Sequence, residues 1–199
     1  MSLFSRGFRG RRSAQETRLP PGQYLTEDFP VLSAGPTPRV DTDTWVFTIT
    51  AESGQATSWT WPEFLAFEQE HPHTDIHCVT RWSKTGTHWT GVSLDTLLAA
   101  VDTAADYALV YSYGDYTTNL PMEDLTGGQA WIVHEYEDEP LPPEHGGPAR
   151  LLVPHLYFWK SAKWVRGIRL LDHNEPGFWE LAGYHDYGDP WREQRYWGD

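Results

Sequence analysis

Cys78 is the only thiol in this chain of 199 residues, and its surroundings are suited to chemistry. The cations of Arg81 and Lys84, with His77 beside it, would favour the thiolate, the form that attacks electrophiles and binds metals. Ile76, Val79 and Thr80 lean apolar and β-branched, so the thiol falls at the end of a strand, where a rigid base presents side chains to ligands. A lone cysteine also serves as a small buried hydrophobe. Three uses are open from these residues: metal ligand, nucleophile of a cysteine hydrolase or acyltransferase, and core filler. A nucleophilic Cys78 would need one of the nine histidines as its base, and no turn marks which.

A second group of residues gathers cations. Arg150, Lys160, Lys163 and Arg166 fall within seventeen positions of a chain that has only 15 lysines and arginines. Lys160 and Lys163 flank Ser161 and Ala162, a spacing that collects donors around an anion. Upstream runs His145-Gly146-Gly147-Pro148-Ala149-Arg150. Two glycines let backbone approach a flat ligand, and the arginine offers a planar fork of donors matched to phosphate. An ordinary turn before a strand, followed by a basic surface strand, reads the same residues equally well.

The elements that must position these groups are mostly strands. Trp45–Thr50, Tyr107–Tyr113, Trp131–His134 and Val165–Leu171 are β-branched, aromatic or alternating. Thr60, Pro62 and Glu63 start a helix, expected to run to about His71-Pro72. Ser93 caps a second, whose Leu94, Leu97, Leu98 and Val101 share one face. Gly114 to Thr118 reads as a polar loop and Pro121 to Leu125 as a helical turn. The Pro- and Gly-rich segment from Pro20 to Pro38 excludes regular structure over most of its length. The rings after Pro176 are expected to pack on the domain.

Composition narrows the function classes. A net charge of −13 argues against nucleic acid as a partner. One cysteine excludes an internal disulfide framework. No stretch approaches the ~20 apolar residues of a membrane span. Residues 1–19 are basic and read as a mobile arm. Arg11-Arg12 suggests a twin-arginine signal, but no apolar run follows, so a cytoplasmic protein is expected.

Three stretches together resemble the sulfite oxidase-like molybdopterin-dependent oxidoreductases. One is Cys78-Val79-Thr80-Arg81-Trp82-Ser83 with Trp89-Thr90-Gly91-Val92 and the leucines after it. Another is Glu139-Pro140-Leu141-Pro142 before the His145 to Arg150 run, and the third is Tyr157 to Trp164. The resemblance covers about Tyr24 to Tyr187 and implies a single α+β domain at 20–199, strand-rich with a mixed sheet. That domain would hold a molybdenum-molybdopterin cofactor in a pocket, as in stand-alone bacterial members. Cys78 would be the sulfur ligand of the metal. His145, Arg150, Lys160, Ser161, Ala162 and Lys163 would hold the pterin and its phosphate, with Ser33 and Ser112 also in contact. Arg81 and Tyr116 would meet a small-molecule substrate. The chemistry implied is two-electron oxygen-atom transfer, served by an electron-transfer partner. Sulfite-oxidising members place an arginine and a histidine where this chain has Leu32-Ser33-Ala34-Gly35, so an S- or N-oxide is expected before sulfite. A cofactor-free binding protein on the same fold is the alternative, beside the Cys78 hydrolase.

Overall fold

The computed structural model describes residues 18–199; the basic arm at 1–19 lies almost wholly outside them. Two mixed sheets pack on one another. The first has six strands: β1 (Tyr24–Leu25), β4 (His73–His77), β5 (Trp82–Ser93), β8 (Trp131–Tyr136), β9 (Glu139–Pro140) and β10 (Arg150–Leu152). The second has five in the order β3 (Ala56–Thr60), β2 (Val46–Thr50), β11 (Val165–Leu171), β6 (Tyr107–Ser112) and β7 (Thr117–Pro121). Among the described residues there are three short α-helices, α1 (Trp61–Leu65), α2 (Leu94–Leu98) and α3 (Phe178–Leu181), besides four single 3-10 turns. The fold is the expected strand-rich α+β domain. Among the described residues, no helix is long and apolar enough to cross a membrane.

Strand β5 organises the first sheet. Its start pairs with β1 and β4, and its end, Trp89 to Ser93, pairs with β8. The register shifts at Thr90/Gly91, where a Cβ on Gly91 would lie 2.2 Å from the Ile132 carbonyl oxygen. Only glycine fits that approach. Helix α2 forms as its spacing dictates: Ser93 Oγ accepts from the Asp95 amide at 3.3 Å, and Leu94, Leu97 and Leu98 are buried. Each such leucine contributes about 1.5–3 kcal/mol by leaving water.

Local signals were overridden in two places. The Glu63 carboxylate caps the Thr60 amide at 2.8 Å as expected, yet α1 stops at Leu65, well short of His71. Glu70 instead bridges to Gly91, exchanging backbone bonds of 2.7 and 3.1 Å, and its carboxylate accepts from Trp131 Nε1 at 2.7 Å. The polar loop expected to reach Thr118 ends sooner, because β7 begins at Thr117 and zips onto β6. The main core lies between the sheets around Trp45, Phe47, Ile132 and Ile168. A smaller cluster of Ile76, Cys78, Trp82, Trp89 and Phe158 leads to the site.

Candidate active site

A cavity of about 350 Å³ opens at the carboxyl end of β4. Its walls come from four places: the Phe29 to Pro36 segment, the Cys78 turn, Tyr116, and Arg150 with the Phe158 to Trp164 stretch. Phe178, Trp179 and Tyr184, in and just after α3, form the remaining side.

Cys78 follows β4 at the head of a tight turn. Its amide donates to the Trp82 carbonyl at 2.9 Å, and its own carbonyl accepts from Arg81 at 3.0 Å. Arg81 has φ 80°, a left-handed conformation that costs energy in a residue with a side chain. The thiol is 7 % exposed and accepts from Thr80 Oγ1 at 3.1 Å. Burial pushes its pKa up, against the opposing effects of the Thr80 bond and the Arg195 charge.

The flanking cations therefore do not act as expected. The Arg81 side chain is exposed and lies outside the cavity wall. Lys84 Nζ is held by the Glu27 carbonyl. His77 is buried, with Nδ1 2.8 Å from Ser83 Oγ. No imidazole meets Sγ among the described residues, which removes the base a nucleophilic Cys78 would need.

Arg150 is 1 % exposed and lines the cavity. Its guanidinium donates only to carbonyls, those of Leu151 (3.4 Å), His145 (2.8 Å) and Ser161 (2.6 Å), and lies 4.0 Å over the Phe158 ring. Burial lowers its pKa to about 9. Lys163 lines the same wall, its Nζ donating to the carbonyls of Leu32 and Glu144 at 2.6 Å each. Its pKa falls to about 8, from burial first and then Arg150. Neither cation meets a carboxylate among the described residues. Ser161 and Ala162 line the cavity between them, with Ser161 Oγ accepting from the Val153 amide at 2.9 Å.

Other expected residues have different work. Lys160 is turned away from the cavity: its Nζ meets Glu180 Oε1 at 2.7 Å, the Asp186 carbonyl at 2.6 Å and Asn119 at 2.8 and 2.9 Å. A buried ammonium needs that cage, so Lys160, expected to hold the cofactor, is engaged by protein acceptors and lies off the cavity wall. Ser112 is also off the wall, donating to the Lys163 carbonyl at 2.6 Å; it positions Lys163. His145 stacks at 3.9 Å on Phe29 and keeps a buried Nδ1 without a partner among the described residues. Its pKa falls to about 4, chiefly through burial and then the charges of Arg150 and Lys163. Tyr116 lines the cavity, but its hydroxyl is spent on the Trp159 carbonyl at 2.5 Å. Ser33 is exposed at the rim.

The aromatic part of the cavity wall, Phe29, Trp82, Phe178, Trp179 and Tyr184, was not legible in the sequence. Phe178 and Tyr184 stand about 150 residues from Phe29, and nothing local signals that they share a cavity. The count of 11 tryptophans was the one usable hint of aromatic pocket walls.

Residues 34–179 match the model of the oxidoreductase molybdopterin binding domain family. The chain belongs to this family. It is 41 % identical over 189 residues to an uncharacterized oxidoreductase of Bacillus subtilis (strain 168), YuiH, covering 94 % of this chain and 96 % of that relative. It is 28 % identical over 130 residues to MsrP of Ralstonia nicotianae, a protein-methionine-sulfoxide reductase catalytic subunit, covering 57 % of this chain and 39 % of that one. Among solved structures, the sulfane dehydrogenase SoxCD of Paracoccus pantotrophus superposes with a TM-score of 0.62 at 19 % identity, covering 69 % of this chain and 41 % of that one. This chain thus spans less than half of the last two.

The family's cofactor is molybdenum-molybdopterin, and the residues present fit it. Arg150 and Lys163 are cations on one cavity wall with no carboxylate to balance them among the described residues, as a phosphate-bearing ligand requires. Cys78 brings a soft sulfur to the same cavity, the donor type a thiolate-loving metal selects. His145 Nδ1 remains a buried polar atom awaiting a partner.

Proposed function

We propose that this oxidoreductase carries out two-electron oxygen-atom transfer in the direction of S- or N-oxide reduction. In balance, an oxide takes up two electrons and two protons and yields the thioether or amine and water. The cofactor, when bound, supplies the redox chemistry. The protein holds it through Arg150 and Lys163, presents Cys78 as the sulfur ligand, and selects the substrate. A metal would displace the thiol proton that burial otherwise retains.

The observation that carries the reading is the composition of the cavity wall. Phe29, Trp82, Phe178, Trp179 and Tyr184 line the cavity together with Cys78. Sulfite is a dianion that needs converging free cations. Arg81 lies outside the wall, Leu32-Ser33-Ala34-Gly35 brings no charge to the rim, and the two cations that do line the cavity, Arg150 and Lys163, are taken up by the cofactor in this reading. A neutral oxide needs no such cation, and aromatic edges favour sulfur. The protein-methionine-sulfoxide reductase names of more distant relatives agree with this choice. An electron carrier must deliver the reducing equivalents.

The test uses protein made in a cofactor-producing host. Methionine sulfoxide, dimethyl sulfoxide and trimethylamine N-oxide are offered with reduced viologen, and sulfite with ferricyanide. Oxide reduction with weak sulfite turnover is expected. Efficient sulfite oxidation at micromolar concentration, with inert oxides, overturns the direction.

A further inference from the structure

The Cys78 turn is held from outside the residues that define the family. Gln23 Nε2 donates to the Cys78 carbonyl at 3.0 Å. From the other end of the chain, Arg195 Nη1 donates to the carbonyl of Val79, the next residue, at 2.6 Å. Nη2 reaches the Pro21 carbonyl at 3.3 Å. Both residues lie beyond the matched span of 34–179.

Arg195 is built for that place. It is 6 % exposed, with its guanidinium 5.0 Å over the Tyr157 ring. Its backbone is pinned by the tail, the amide donating to Asp199 Oδ2 at 3.0 Å and the carbonyl accepting from His185 at 3.2 Å. The nearest carboxylate is that of Glu193, at 3.8 Å and half exposed. Nε is buried without an acceptor among the described residues. A buried cation so weakly balanced is costly by itself. It becomes favourable if an anion forms close by, and the Val79 carbonyl it grips is one peptide from Cys78. The charge acts across low-dielectric protein, where Coulomb interactions are least damped.

We infer that Arg195 is a positioning residue for the metal ligand, clamping the Cys78 turn and setting through its charge the reduction potential of the metal that Cys78 binds. The inference rests on Cys78 being that ligand. A positive charge nearby disfavours the more oxidised, more positive state. Removing the charge therefore lowers the midpoint potential.

Arg195→Gln and Arg195→Lys separate charge from hydrogen bonding. Gln is neutral and can still donate to the Val79 carbonyl; Lys keeps the charge and loses the fork. Each holoenzyme is titrated potentiometrically with EPR detection, and sulfur ligands are counted by X-ray absorption. The midpoint potential is expected to fall in Arg195→Gln and to stay near wild type in Arg195→Lys, with the sulfur count unchanged in both. A potential in Arg195→Gln equal to wild type, or equal shifts in the two variants, overturns the inference. Should Arg195→Gln fail to fold, Glu193→Gln decides: at a half-exposed site it removes the carboxylate facing Arg195 and is expected to raise the potential, and no change there overturns the idea. A wild-type metal without a cysteine sulfur refutes the ligand assignment instead, so the two failures are distinct.

Discussion

Replacing Arg150 by Met should separate cofactor retention from folding. A guanidinium has five N–H groups. Three are committed, to the carbonyls of Leu151, His145 and Ser161, which leaves two for an anion in the cavity. Each charge-assisted bond contributes about 1.5–3 kcal/mol, so two contribute about 3–6 kcal/mol. At 1.4 kcal/mol per tenfold, pterin affinity should fall on the order of 10²- to 10⁴-fold. Methionine is flexible and apolar and fills the space against Phe158, so the fold should survive. The assay is fluorescence of released pterin per mole of purified protein, with circular dichroism as the fold control. Arg150→Lys, which keeps a charge but loses the fork, should fall between. Arg150→Met protein that retains pterin within tenfold of wild type would refute the assignment of the buried cation to the cofactor.

Lys160→Met should do the reverse. It leaves the buried Glu180 carboxylate without its cation, with only the Thr118 and Trp159 donors remaining, at a cost of up to about 3–5 kcal/mol, which lowers Tm by at most roughly 6–20 °C in a domain of this size while pterin affinity holds; calorimetry beside the pterin assay checks both. His145 has a folded pKa of about 4 against 6.5, so between those values the unfolded chain binds a proton that the native chain does not. This contribution to the stability of the cofactor-free protein is thus fully present above pH 6.5 and lost as pH falls toward 4, by less than the ~3 kcal/mol of a fully buried ring, because solvent reaching the half-buried imidazole screens it. Urea unfolding at pH 7.5 and 4.5 should show the loss, and His145→Phe should flatten it. Lys163, with its pKa pushed down to about 8, loses charge above that pH, and Arg150 follows at about 9, so pterin binding should weaken from pH 8 to 9.5 in wild type and less steeply, with a higher midpoint, in Lys163→Gln, as measured by equilibrium dialysis.

What could be read from the chain alone depended on how local the cause was. Strand β11 was legible because Val165, Ile168 and Leu170 are buried while Arg166 and Arg169 are exposed. Helix α2 was legible because its cap and its apolar face sit within a few residues. The end of α1 was not, because Glu70 answers to Gly91 across the sheet. The cations show the same limit. Arg150, Lys160 and Lys163 cluster in sequence, but which of them is free depends on Glu180 and Asp186, and Lys160 finds both. Arg81 stands three residues from Cys78, yet a left-handed turn sends its side chain to solvent. Arg195, more than a hundred residues away, reaches the same turn. The resemblance to a known family located the cavity, and the contacts sorted its residues.

The most direct test of the account is a count of sulfur ligands at the metal. X-ray absorption is recorded on wild type and Cys78→Ser, both made in a cofactor-competent host. Serine keeps the approximate volume but replaces a soft sulfur by a hard oxygen donor. The account predicts molybdenum in wild-type protein, one fewer sulfur neighbour in Cys78→Ser, loss of nearly all oxygen-transfer activity, and pterin still held through Arg150 and Lys163. Wild-type protein without molybdenum, or an unchanged sulfur count in Cys78→Ser, would contradict it.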